Sequence, residues 1–514
     1  MHSAVTVRLG LAACGMILSL VSCNRTKSDS SGDTGVVTMD SSGERTAGAT
    51  VKGKVPLSTK SEEARKLYDE GIALFDQVRF HDARQKFIQA EAKDPDFAMA
   101  HYQLAITSPS TKEAQEHLKQ AVALADKATE GERLQIQALQ AGFNGDPAKS
   151  LQYTKEASQK YPDDERLHTF LAFSYSGQQD NEKAIDELNK AIELNPDYSA
   201  AYNALGYAYR AVNKNDEAEK AFKKYIELVP SDPNPYDSYA ELLLKTGRFN
   251  ESIAQYRKAL SIDPHFVGSH FGITANLIYQ GKYDQAIAET QKLASASRND
   301  GERRQAYFAR ALVYADQGKP DLAIKELEKE SAIAAKAGDN AQMAGDVGNI
   351  GFILLNAGRP DQAAKRFQQA LDMVANSTLP PEAKEDLKLG HRYDLARLAL
   401  AKGDLATAKS EAEAYQKGAE AKDNEFRIKQ AHELNGTIAI KEKDYDKATG
   451  ELEKASQQDP YVIYLTAVAY EGKGDKAKAG ELYKQAAEAY ILPTFNYVLI
   501  RSKAKQRAAP QSTT

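Results

Sequence analysis

Catalysis or metal chemistry in this 514-residue chain would have to begin from nine histidines and two cysteines, and neither set is arranged for it. The closest histidines, His265 and His270, have no cysteine or dense acidic cluster around them, so packing or surface roles are expected and no metal site. The sequence contains no G-x-x-x-x-G-K-[ST] loop, no G-x-S-x-G elbow and no H-E-x-x-H pair. No phosphate cradle, serine nucleophile or zinc-activated water is indicated, and the expectation is a protein that is not an enzyme and carries no cofactor. What remains is a series of Tyr, Phe, Arg and Glu residues at regular intervals, whose chemistry is contact with another surface.

Those intervals come from a repeat. Four prolines, Pro162, Pro196, Pro230 and Pro264, each follow the last by 34 residues. The columns between them hold their character: Leu171, Leu205 and Tyr239; then Ala172, Gly206 and Ala240; then Ala184, Ala218 and Ser252; then Leu188, Phe222 and Tyr256. Helical spacing of apolar residues (Tyr202, Leu205, Tyr209, then Ala218, Phe222, Tyr225) predicts two amphipathic helices per unit. Neither helix can bury its face alone, so the pair packs antiparallel and stacks on the next pair. Small residues such as Gly206 and Ala218 are expected to meet where the helix backbones come closest. Gly247 and Gly281 read as left-handed helix ends, and Pro147, Pro320 and Pro360 as first-turn prolines.

A register of small, aromatic and proline columns repeated at this period resembles the tetratricopeptide repeat (TPR). The resemblance implies an all-α solenoid, a right-handed superhelix of about 12 helix-turn-helix units. An N-terminal array is expected over residues 64–377 and a C-terminal array over 389–493, with a longer connection containing Pro380 and Pro381 as the seam. Residues 494–506, with Phe495, Val498 and Leu499 on one side and Arg501, Lys503 and Lys505 on the other, read as a capping helix. Residues 507–514 read as a disordered tail. In this family the inner curve is lined mainly by first helices. By that register the candidate groove is Tyr68, Phe75, Tyr102, Arg166, Phe173, Tyr207, Arg210, Asp237, Glu241, Phe271, Phe308 and Phe352. Such aromatics with isolated charges suit a peptide or protein partner. The paired Lys and Asn with which some TPR domains clamp a C-terminal carboxylate are missing, since the corresponding places hold Arg166, Thr169, Phe173, Ala200, Asn203 and Tyr207.

Ahead of the repeats, Arg8 precedes an apolar stretch from Leu9 to Val21, a targeting segment over residues 1–22. Leu20-Val21-Ser22-Cys23 resembles a bacterial lipobox, which implies lipidation of Cys23. Leu11-Ala12-Ala13-Cys14 fits the short pattern too, but Cys14 follows Arg8 too closely for an apolar region of about 7–15 residues. Asn24, where retained lipoproteins of enteric bacteria carry Asp, implies the periplasmic face of the outer membrane. Residues 23–60, rich in Ser, Thr, Gly and Asp, read as a flexible tether. With both cysteines in the leader region, the repeats can form no disulfide and must hold by packing.

A net charge of −5 with mixed signs along the helices leaves no footprint for nucleic acid. The expected function is therefore a lipid-anchored scaffold of the bacterial cell envelope. The alternative is an envelope enzyme or small-ligand receptor, with a pocket where the register breaks at 300–345 or near 380.

Overall fold

The computed structural model describes residues 53–508. These hold 25 α-helices and no β-strand. The first 24 form twelve antiparallel hairpins. They are α1 (Glu62–Asp76) with α2 (Phe80–Lys93), α3 (Ala98–Thr107) with α4 (Thr111–Leu124), α5 (Glu130–Phe143) with α6 (Pro147–Lys160), and α7 (Glu165–Gly177) with α8 (Asn181–Leu194). Next come α9 (Ser199–Ala211) with α10 (Asn215–Leu228), α11 (Pro233–Lys245) with α12 (Phe249–Ile262), α13 (Val267–Tyr279) with α14 (Tyr283–Ala296), and α15 (Asp300–Asp316) with α16 (Pro320–Lys336). The last four are α17 (Asn340–Asn356) with α18 (Pro360–Ala375), α19 (Pro381–Lys402) with α20 (Leu405–Ala421), α21 (Glu425–Glu442) with α22 (Tyr445–Leu452), and α23 (Pro460–Gly472) with α24 (Lys476–Ala487). A final helix, α25 (Phe495–Ala508), follows.

Each hairpin forms for the reason its columns predict. In the fifth, Ala201, Ala204, Leu205 and Ala208 of α9 and Ala218, Ala221, Phe222 and Tyr225 of α10 are buried. The closest approach involves different residues from those expected. A Cβ on Gly206 would lie 2.5 Å from the Phe222 ring, so the missing side chain makes room for an aromatic edge and not for Ala218. Gly71 receives Phe87 and Gly351 receives Phe367 in the same way. Gly247 (φ 74°) and Gly281 (φ 72°) end first helices in the left-handed region, a slot that Asn213 (φ 58°) fills in the fifth hairpin. Pro147, Pro320 and Pro360 each stand in the first turn of a second helix.

Three boundaries move. The tether was expected to reach residue 60, yet its last residues are pinned. Val55 N–H donates to Asp164 at 2.9 Å, Ser58 N–H to Glu132 at 3.0 Å and Thr59 Oγ1 to Asp94 at 2.6 Å. The polar composition concealed this because two backbone donors, a threonine hydroxyl and one valine, packed beside Gly131, make the attachment. The seam shrinks as well: α19 starts at Pro381, so the second array does not wait for residue 389. Likewise α25 continues to Ala508, through the start of the expected tail. The leader, Cys23, the tether up to residue 52 and residues 509–514 lie outside the described residues.

The stack winds until its later units meet its earlier ones. Asp339, ahead of α17, accepts from the Thr111 N–H at the start of α4 (2.7 Å). Thr378 Oγ1 donates to Gln115 at 3.1 Å, Lys429 Nζ to Gln179 at 2.8 Å, and Gln458 Nε2 to the Ala211 carbonyl at 2.6 Å. Gly145, left-handed at φ 72°, lies under the Asp386 side chain. Roughly seven units of 34 residues separate these partners, so the molecule completes a turn and rests on itself.

Candidate functional site: the inner surface and its cavity

One turn of the solenoid encloses a cavity of about 400 Å³. First helices of the early units build one wall, with Phe75, Tyr102, Phe143, Phe170, Phe173, Arg210 and Glu241. The opposite wall belongs to the later units, with Phe426, Arg427, Gln430 and Glu433 of α21, Asp459 ahead of α23, and the connector residues Tyr490, Ile491 and Leu492. Aromatic and aliphatic surface dominates, with the buried side chains of Arg210, Glu241, Arg427 and Glu433 set into it.

The polar groups are largely committed. Arg210 donates to Glu241 at 2.9 Å and Tyr207 donates to the other oxygen of the same carboxylate at 3.1 Å. Burial nevertheless pushes the Glu241 carboxyl up to about 7. Burial, and then the Glu241 charge, pushes Asp237 up to about 8, while the Ser269 hydroxyl donates to it at 2.6 Å. On the opposite wall burial raises Glu433 to about 7 and Asp459 to about 6. The Tyr393 hydroxyl donates to Glu433 at 2.7 Å. Arg397 lies among three rings, 4.5 Å from Phe352, 5.5 Å from Tyr393 and 4.9 Å from Tyr461. Carboxyls raised toward neutrality are what a general acid would need. Both oxygens of Glu241 are occupied and Asp237 is not among the cavity residues, whereas Glu433 and Asp459 do line the cavity.

The expected groove divides into four groups. Phe75, Tyr102, Phe173, Arg210 and Glu241 line the cavity, and Tyr207 and Asp237 stand behind the last two. Arg166 points elsewhere, paired with Asp76 and stacked 5.7 Å from the Tyr198 ring. Tyr68 is used in packing, 5.0 Å from Phe97 and 5.7 Å from Phe87. Phe271, Phe308 and Phe352 belong to an apolar cluster that the chain itself completes: Phe495 of α25 meets Phe308 edge-on at 5.3 Å, and Val498 is buried beside it. Arg501 on the same helix donates twice to Asp316, at 2.8 and 2.9 Å, and once to the Tyr279 carbonyl at 3.1 Å. Thus α25 packs on the last hairpin through Ala504 and also occupies the groove of units seven to nine.

The cavity of about 400 Å³ is not centred on either register break. Around residues 300–345 the buried charges Arg304, Glu330 and Asp346 tie α15, α16 and α17 together, with Arg304 2.8 Å from Asp346 and 3.3 Å from Glu330. None of the three lines the cavity, and near 380 only Asp386 reaches it. Sequence reasoning missed Phe143, Phe170, Phe426 and Glu433. Phe170 lies one turn before Phe173 on α7, so the same register could have found it. The residues of the later units could not be placed because that register loosens beyond residue 377.

A family model of the tetratricopeptide repeat matches residues 68–108, 171–233 and 276–340, and a second model of the same repeat matches 234–266. Among solved structures, a tetratricopeptide repeat protein from Parabacteroides merdae is 17% identical, with 56% of this chain and 99% of that one covered and a TM-score of 0.35. YrrB, described as a TPR protein with an unusual peptide-binding site, is 19% identical over 35% of this chain and 91% of its own, at 0.25. A structure of Pseudomonas aeruginosa pilF is 19% identical over 43% of this chain and 90% of its own, at 0.29. No curated protein matches the sequence. Twelve stacked helical hairpins, with repeat models matching along four stretches of them, make this chain an all-α repeat solenoid that carries tetratricopeptide repeats.

Proposed function

We propose that this protein is a lipid-anchored scaffold of the bacterial cell envelope that holds a segment of a partner protein against its inner surface. The observation that carries the reading is α25 itself. An amphipathic helix with Phe495 and Val498 on one flank and Arg501 reaching an acid lies along the first helices, so the groove's own chemistry fits such a segment. The cavity continues that groove toward Phe173, Phe170 and Phe75, and a partner segment with an aromatic or aliphatic anchor fits there. Attachment rests on Cys23 and its lipobox, since no helix among the described residues is long and apolar enough to cross a membrane. The periplasmic face of the outer membrane follows from Asn24.

A photo-reactive phenylalanine at Phe173, introduced in intact cells, should capture a partner, and the same probe at Phe308 should capture only residues of α25. No capture at Phe173, with expression intact and α25 captured from Phe308, would remove the scaffold reading. Cys23→Ser should release the protein from the membrane fraction; retention would remove the lipid anchor. The cavity volume favours a second reading, because about 300–1,000 Å³ is the range of small-ligand pockets. Native mass spectrometry of the protein purified from its membrane separates the two: a co-purifying small molecule supports the receptor.

A further inference from the structure

Three hairpins use one recurring device. A histidine on the first helix faces a glutamate 19 residues later on the second: His168 Nδ1 lies 2.6 Å from Glu187, His270 Nδ1 2.6 Å from Glu289, and His432 Nδ1 2.7 Å from Glu451. Each glutamate is also paired with a lysine three residues on, Lys190, Lys292 or Lys454. The second hairpin departs from the pattern. His101 stands where His168 stands, with its Nε2 donating to the Pro95 carbonyl at 3.1 Å as His168 does to Pro162 at 2.9 Å. The first helix there is only 10 residues long, and the glutamate's place on α4 is taken by His117, the lysine's by Gln120. His101 is 6% exposed, and its Nδ1 has no hydrogen-bond partner. That atom looks toward Glu91 of α2, 3.3 Å away, and toward the His117 ring, 5.9 Å between centroids. The corresponding residue in the His168 unit is Ser158, which is no strong ligand.

We infer that Glu91, His101 and His117 form a binding site for a divalent transition-metal ion of the zinc class. One ligand atom from each residue lies within 4.8 Å of the other two. A tetrahedral zinc with bonds of about 2.0–2.1 Å holds its ligands roughly 3.3–3.4 Å apart, so rotation of Glu91 and His117, both only partly buried, closes the set. Two imidazoles with one carboxylate select zinc, cobalt or nickel over calcium and magnesium, which take oxygen ligands. Three protein ligands leave a fourth position for water or for a carboxylate of a bound partner. Arg84, on the same helix as Glu91, is held by Glu113 and by the Leu104 carbonyl.

The test uses the full chain without a histidine tag, carrying Cys14→Ser and Cys23→Ser so that no thiol competes. After chelator treatment it is titrated with zinc chloride alone, and the metal retained through gel filtration is measured. About one equivalent should be retained, with at least a tenfold preference over magnesium. The double variant Glu91→Ser, His117→Glu copies the Ser158, His168 and Glu187 arrangement and should retain less than about a tenth as much. Cobalt(II) added to the native chain gives an independent reading, since a four-coordinate nitrogen and oxygen site produces visible absorption that zinc displaces. No retained zinc, no cobalt absorption, or equal retention by the double variant would each overturn the site.

Discussion

Asp237 and Glu241 stand one helical turn apart on α11, and burial sets their protonation. An acid whose folded pKa lies above its ordinary value of about 4 binds its proton more tightly when folded. Its contribution to stability is then complete below pH 4 and is lost as the pH rises through about 7 for Glu241 and about 8 for Asp237. The urea midpoint should fall between pH 5 and pH 8, and Asp237→Asn, which keeps a partner for Ser269, should flatten that fall by an amount on the order of a few kcal/mol. A wild-type midpoint that stays level across this range would contradict the assignment. Asp339 supplies a second case at this scale. One oxygen caps its own helix at Gln342 N–H (3.0 Å) and the other caps α4 at Thr111 N–H (2.7 Å). A single cap is worth about 1 kcal/mol, so Asp339→Ala should cost about 2 kcal/mol by chemical denaturation, and a loss of one cap's worth would mean that the contact between turns contributes nothing.

α25 joins regions far apart in the chain. Its Arg501 and the Asp316 it pairs with are both buried, and removing one partner of such a pair leaves a charge without compensation. Arg501→Ala should therefore destabilise by about 3–5 kcal/mol, and Asp316→Ala combined with it should cost clearly less than the two single changes added together. Strict additivity in urea melts would show that the pair is not coupled. This helix also marks how far the sequence could be read. Phe495, Val498 and Leu499 fix a helix with a buried flank, because the spacing of apolar residues reports burial directly. The same spacing does not say what covers the flank, and it placed Arg501 on the solvent side. Partners 185 and 222 residues earlier, Asp316 and the Tyr279 carbonyl, make that burial tolerable, and no local pattern encodes them.

In the molecule as a whole, the unit was legible and the closure was not. Each hairpin buries its face against its neighbours, so the 34-residue period carries the packing from Pro162 to Pro264 without distant information. Closure depends on small rotations accumulating over about seven units, and the contacts that fasten it are single polar side chains such as Gln115, Gln179 and Gln458. Pro380 and Pro381 illustrate the difference: read along the chain they mark a seam, but in space Pro381 opens α19 and Thr378 bonds back to the first turn. A hinge there would separate the turns and open the cavity. With Cys14 and Cys23 replaced by serine, the pair Gln115→Cys and Thr378→Cys should be bridged within one chain by a short bismaleimide at a rate independent of protein concentration. The bridge should disappear in urea, where the units come apart. Bridging only between chains, or none under native conditions, would mean that the arrays stand open and that the wall formed by Phe426 and Glu433 does not face Phe173 in solution.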